Sequence, residues 1–335
     1  MTILKSINLI ACSTAMLVGL SVTAGAETLR LSTLKQPGSA GALAAERFAE
    51  LVEEKTEGDL TVTVYPGSQL GDWTEVYEQV IEGAVDMAMQ PLATSSDKRL
   101  AITWFPYAFT DYDSARVALS PGGGVFQLID ESLTDQGLTP LAVYGAGMGG
   151  AGFASAVEEP GNTDLSRNLK VRVWPGGTTH KVLLEAFGYN VATMPWAELY
   201  TGLQTGVVDG QIGGTPTMTL ESFSDITDTW VQYNDHFESD FFFINADRFS
   251  GLSDEHQAAV REAALEVATA QFAAVEAADA AALQVMRDNG TNVVTFDSPT
   301  LEALAATARA EVWPTIKDEL GDEAYAILRA SVGLE

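Results

Sequence analysis

From Ser253 to Asn289 the chain contains nothing that breaks a helix. Ser253 is a good N-cap, Asp254 and Glu255 put negative charge in the first turn, and Asn289-Gly290 is a good stop. Alanine, the best helix former, is abundant between them. Some thirty-six helical residues would reach roughly 54 Å at 1.5 Å per residue. That exceeds the width of one small lobe, so such a helix must either kink or run along two lobes as a spine. A coiled-coil partner is the competing solution, but the apolar positions keep no clean heptad.

The chain before that run alternates between the two periodicities. Residues 28–32 read as a strand, and Ala44, Phe48, Leu51, Val52 and Lys55 mark a helix ending near Gly58. A second strand spans 60–65, a helix spans 72–82 and stops at Gly83, and a short third strand spans 85–89. This β-α-β-α-β order predicts a mostly parallel sheet covered by helices. A second set begins near Thr139, with strands over 141–144, 152–156 and 170–174, a helix over 178–187, an extended segment over 190–194 and a helix over 197–205. No repeat or low-complexity linker separates the sets, which predicts ordered crossovers. About three hundred residues after the N-terminal segment suit two lobes better than one core.

The first residues read as an export signal. Lys5 supplies a positive charge, an apolar stretch runs from about Ile7 to Val22, and Ala24-Gly25-Ala26 is a small-x-small cleavage site. Cleavage there makes Glu27 the first mature residue. The apolar run is short for a membrane anchor and no charged flank follows it. The only cysteine, Cys12, lies in this segment, in a context resembling a lipid-attachment site, but the apolar run continues past it. A mature chain without cysteine has no disulfide, no thiol nucleophile and no thiolate metal site. The net charge of -28 repels nucleic acid and anionic membranes. The carboxylates are scattered, as on a solvated surface, and form no evident cation-ligating cluster.

Several segments together resemble the DctP-type solute receptors of tripartite ATP-independent periplasmic (TRAP) transporters, over the whole mature chain. They are Tyr65-Pro66-Gly67-Ser68-Gln69-Leu70-Gly71, Ile81-Glu82-Gly83-Ala84-Val85-Asp86-Met87 and Leu169-Lys170-Val171-Arg172-Val173. Met194-Pro195-Trp196-Ala197-Glu198-Leu199-Tyr200 and the following Leu203-Gln204-Thr205-Gly206-Val207-Val208-Asp209-Gly210-Gln211 are the most specific match. The resemblance implies an α/β, two-lobed periplasmic binding protein fold with a ligand cleft between the lobes and the long C-terminal helix as spine. The lobes are expected at 27–145 with 238–277 and at 146–237 with 278–335. It implies a monomeric periplasmic receptor without cofactor or catalysis, which captures a small organic anion by closure and hands it to two integral membrane subunits.

The resemblance makes Arg172 the ligand-binding arginine. By alternation alone, Lys170, Arg172 and Trp174 share one strand face, which is as compatible with solvent as with a site. A guanidinium offers a planar fork that meets a carboxylate in two parallel hydrogen bonds. Trp196 falls where the family places an aromatic cleft residue, though an isolated tryptophan serves core packing equally well. Trp174 is a candidate for the cleft wall, and Trp73 begins a helix where it is either a cleft residue or a surface cap. Gln90 ends the third strand, where open α/β sheets expose ligand contacts. Tyr107 is a hydroxyl donor or a core residue. Many family members carry an asparagine soon after the Asp-Gly-Gln turn. Here Gly213, Gly214 and Thr215 stand there, so Gly213 offers room or a backbone amide and Thr215 a hydroxyl. No arginine or lysine lies between Arg116 and Arg167, so the second arginine of some members, and with it a sialic acid specificity, is not expected. Lys35 is the alternative second cation or a solvent-facing loop lysine, and Asp240 either accepts a ligand hydroxyl or pairs with Lys35.

An enzyme is the competing class. The chain has no His-x-x-x-His pair, no Gly-x-Ser-x-Gly elbow and no phosphate loop, and His180, His236 and His256 are far apart. A receptor for an ATP-driven importer shares the fold class, but the Asp-Gly-Gln segment and the long helix favour the TRAP type. The ligand stays open between a short hydroxy acid, an aromatic acid and a sulfonate.

Overall fold

The computed structural model describes residues 27–334; the predicted export signal, with Cys12, lies outside the described residues. Strand β1 (Glu27–Ser32) runs parallel to β2 (Leu60–Tyr65), joined by helix α1 (Ala40–Lys55). Ser39 caps α1 by accepting the Ala42 N–H at 3.2 Å. Ala45, Phe48, Leu51 and Val52 form its buried face, at the spacing of one helix side. Helix α2 (Trp73–Ile81) starts from a capping box between Asp72 and Glu75 and leads to β3 (Met87–Gln90) on the other side of β1. A 3-10 helix (Lys98–Trp104), α3 (Tyr112–Leu119) and α4 (Gly124–Asp135) follow.

Strand β4 (Leu138–Met148) pairs antiparallel with β10 (Phe237–Asn245), which closes the first sheet in the order β2-β1-β3-β10-β4. The second sheet has the order β11-β9-β5-β8-β6-β7. Its strands are β5 (Gly150–Phe153), β6 (Lys170–Val173), β7 (Asn190–Thr193), β8 (Gly210–Gly214), β9 (Thr229–Gln232) and β11 (Asn292–Thr295). Helices α5 (Thr178–Ala186), α6 (Trp196–Gln204) and α7 (Pro216–Phe223) connect them. The strand predicted over 152–156 ends at Phe153. The Asp228 N–H to Phe153 carbonyl and Ala154 N–H to Asp209 carbonyl bonds are the last on this strand, and the chain bends at 154–155.

The chain passes between the sheets twice, at Gly149 and over 233–236. The two passages touch. Gly149 N–H donates to the His236 carbonyl at 2.8 Å, Asn234 N–H donates to the Gly149 carbonyl at 3.0 Å, and Gln232 Nε2 donates to both Met148 and Gly149 carbonyls. A Cβ on Gly149 would lie 2.2 Å from the His236 ring, so only glycine fits this crossing.

The third link is α9 (Asp254–Asp288), a single 35-residue helix after the short α8 (Ala246–Ser250). It is the predicted spine, capped by Ser253 as expected. It packs on α1 and β4 of the first sheet and on α7 and β11 of the second. Its one buried acid, Asp279, accepts from Tyr112 Oη at 2.8 Å and the Met148 N–H at 2.9 Å, tying the helix to the end of β4. Helices α10 (Ser298–Thr307), α11 (Trp313–Leu320) and α12 (Asp322–Ser331), with a π-helical turn at 308–312, finish the chain. They pack on α4 and the 3-10 helix on one side and on α5 on the other. No helix of the described residues is long and apolar enough to cross a membrane.

Candidate functional site

The carboxyl ends of β1, β3, β6 and β8 point toward the same region between the sheets, where α/β proteins place ligands. Leu34, Pro91, Trp174 and Gly213 lie at these ends and line a small cavity of ≈ 20 Å³. Trp73 at the start of α2, Trp196 at the start of α6, Trp104 at the end of the 3-10 helix, Met218 on α7 and Glu238 on β10 complete the wall around Arg172. Both sheets therefore contribute. Gly213 has φ +94°, and a Cβ there would meet the Trp174 ring at 2.7 Å, so this glycine lets the indole lie across β8.

Arg172 is 1% exposed. Its Nε donates to the Met194 carbonyl at 2.8 Å, and its guanidinium lies 5.7 Å from the Trp196 ring centre. Its Nη2 is buried without a hydrogen-bond partner. Burial pulls its pKa down to about 10, against the opposing fields of Asp72 and Glu238. An arginine that has lost water without gaining a partner on one arm is costly, and a carboxylate oxygen supplies what is missing.

Of the residues selected from sequence, Arg172, Trp196, Trp174, Trp73 and Gly213 meet in this cavity. Gln90 stands beside it, donating Nε2 to the Trp73 carbonyl at 2.6 Å and leaving Oε1 buried and unpartnered. Lys35 and Asp240 pair with each other at 2.6 Å, both buried. Lys35 is not a solvent-facing loop residue. Its Nζ lies 3.5 Å from the Met218 sulfur, which separates it from the cavity around Arg172. Burial raises the Asp240 carboxyl to about 6, with Lys35 opposing. Thr215 caps α7, its hydroxyl accepting the Met218 N–H at 3.2 Å, and does not line the cavity. Tyr107 is buried with its hydroxyl unpartnered, and it too lies outside the lining; its N–H binds the Asp235 carbonyl at 2.6 Å.

Sequence reasoning missed Trp104, Glu238 and the polar group behind them. His180 and His236, distant in sequence, share the Asp235 carboxylate: His180 Nε2 at 3.0 Å and His236 Nδ1 at 2.7 Å. His236 Nε2 then reaches Glu238 at 3.1 Å. All four are fully buried at the crossing between the sheets. Burial opposes the charge on His236, yet Asp235 and Glu238 hold its pKa at about 10. Asp235, despite burial, is held below the usual carboxylate range by His236 and His180. Burial lowers the His180 pKa, with Asp235 opposing and His236 adding to the fall. His180, Asp235 and His236 could together ligate a metal, a grouping invisible in the sequence, but the same atoms already bond one another. The alternation Phe237-Glu238-Ser239-Asp240 on a buried strand was the available signal for Glu238.

A larger cavity of ≈ 540 Å³ lies between α3, β4 and α9, lined by Tyr112, Arg116, Leu265, Phe272 and others. No unpartnered buried polar atom among the described residues belongs to its lining, so the cavity around Arg172 is the stronger site.

The chain matches the family model described as bacterial extracellular solute-binding protein, family 7, over residues 31–318. It is 28% identical to the C4-dicarboxylate-binding periplasmic protein DctP of Rhodobacter capsulatus, over 96% of this chain and 95% of that protein. It is 27% identical to the 2,3-diketo-L-gulonate-binding periplasmic protein YiaO of Escherichia coli K12, over 86% and 85%. In fold it is similar to the sugar acid binding protein of Advenella mimigardefordensis solved with galactonate: TM-score 0.82, 21% identity, covering 92% of this chain and 98% of that one. The family is one of receptors and not of enzymes, and the two-sheet fold with its spine helix is the one expected from the sequence. The match over nearly the whole described chain shows that this protein belongs to the family 7 bacterial extracellular solute-binding proteins, the DctP family.

Proposed function

We propose that this chain is the periplasmic receptor of a TRAP transporter, exported through a cleaved signal at 1–26 and acting as a monomer. It captures a small organic acid by its carboxylate on Arg172 and delivers it to two integral membrane subunits. The observation that carries this reading is the buried Arg172 guanidinium, with one arm unpartnered, at the wall of a cavity built from both sheets.

The two sheets act as lobes hinged at Gly149 and 233–236, with α9 bridging them. Closure brings Trp73, Trp104 and Glu238 from one lobe onto Arg172, Trp174 and Trp196 of the other. Relatives of known name bind C4-dicarboxylates, diketo-gulonate and ectoine, so a carboxylate is common to the candidates. The test is thermal unfolding of residues 27–335 against a panel of small carboxylic, sulfonic and neutral solutes. A ligand at about a hundred times its Kd adds roughly 2.7 kcal/mol. Stabilisation by one or more carboxylates supports the reading. Stabilisation by neutral solutes only, or by none of the panel, refutes it.

A further inference from the structure

Four of the chain's six tryptophans meet in the cavity around Arg172, and the polar side chains that join them are Arg172 itself and Glu238. Trp196 is occupied by the guanidinium. Trp73, Trp104 and Trp174 remain, with the Trp104 and Trp174 ring centres 4.2 Å apart and the planes tilted by 39°. Indole faces are electron-rich and attract cations, most strongly where water is excluded.

Charge points the same way. His236 carries a proton that it shares between Asp235 and Glu238, and Lys35 is matched by Asp240. In the lining itself Arg172 is the one cation and Glu238, bonded to His236, the one anion, while Asp72 adds a negative field on Arg172 from outside the lining. A simple carboxylate would cancel Arg172 and leave the acidic set unbalanced in a dry site. A ligand carrying one charge of each sign balances both.

We infer that the ligand is a small zwitterion: a carboxylate bound by Arg172 and an alkylated ammonium enclosed by Trp73, Trp104 and Trp174 beside Glu238. The methylated cation, which donates no N–H, suits the indole faces, while the buried, unpartnered Trp174 Nε1–H remains a donor for the ligand's carboxylate. This inference rests on the receptor reading above and names its substrate class.

The test compares two solutes of one shape by calorimetric titration of residues 27–335. Glycine betaine carries the quaternary nitrogen, and 3,3-dimethylbutanoate replaces that nitrogen with carbon. Betaine is expected to bind about 100-fold more tightly. Glu238→Gln, which keeps an acceptor for His236, should shrink that ratio about tenfold, with circular dichroism confirming the fold. Equal or tighter binding of 3,3-dimethylbutanoate overturns the inference, as does an unchanged ratio in Glu238→Gln. Binding of D-glucuronate without betaine overturns the zwitterion and leaves the receptor reading standing. Failure of every carboxylate, betaine included, overturns both.

Discussion

Replacing Arg172 by methionine separates its role in binding from its role in the fold. Methionine keeps most of the apolar stem against Trp196 and removes the charge. In the ligand-free protein two effects oppose. Burial has lowered the guanidinium pKa from 12.5 to about 10, so removing it relieves roughly 3 kcal/mol of charge burial. Against that, the Met194 carbonyl loses its 2.8 Å bond, which costs about 1–3 kcal/mol. The melting temperature without ligand should therefore move by no more than a few degrees. Ligand binding has no such compensation. Losing one partner of a desolvated charge pair costs about 2–5 kcal/mol, or about 30- to 5000-fold in Kd. A solute that raises the wild-type Tm by about 5 °C should leave the variant's almost unmoved at the same concentration. Arg172→Lys restores charge without the fork and should recover only part of the shift. The assay is thermal unfolding with and without each stabilising carboxylate. If Arg172→Met keeps the wild-type shift, the carboxylate is held elsewhere and the reasoning fails.

Further expectations follow from the buried polar groups. His236 has a folded pKa raised to about 10 above an unfolded value near 6.5, so its contribution is complete below pH 6.5 and is lost as pH climbs through 10; Tm should fall over that window, and His236→Gln should flatten the fall. Asp279 has a folded pKa raised to about 6, so its contribution to stability is complete below pH 3.8 and is lost as pH rises through 6; Asp279→Asn should gain stability over the wild type at pH 7.5 relative to pH 4, and an equal effect at both pH values would contradict this. Lys35→Met strands the buried Asp240 and should cost about 3–5 kcal/mol in urea unfolding, most of it recovered by Lys35→Met with Asp240→Leu. Gly149→Ala drives a methyl into the His236 ring and should destabilise by about 1–3 kcal/mol, and a neutral result would mean the crossing of the two passages is looser than described.

Much of this protein was local enough to be legible in one dimension. The spine helix follows from a capped run without breakers, and α1, α2 and their strands follow from period and capping. Arg172 was singled out because its strand segment and the Met194–Gln211 segment match a family pattern; alternation alone left its face undecided, and the structure buries it. The second pole of the cavity was not legible. Glu238 and Trp104 belong to elements that local pattern leaves unassigned, and they reach Arg172 only because β10 and the 3-10 helix come to the cavity from the opposite sheet. The pairing of His180 with His236 across Asp235 likewise depends on where the passage over 233–236 meets α5. Secondary structure is governed largely by neighbours a few residues apart, so sequence alone determined the spine helix, the first β-α-β-α-β set and the α/β class. The charge balance of the site depends on groups brought together from more than fifty residues away, and only the tertiary structure decided which of them lost water together.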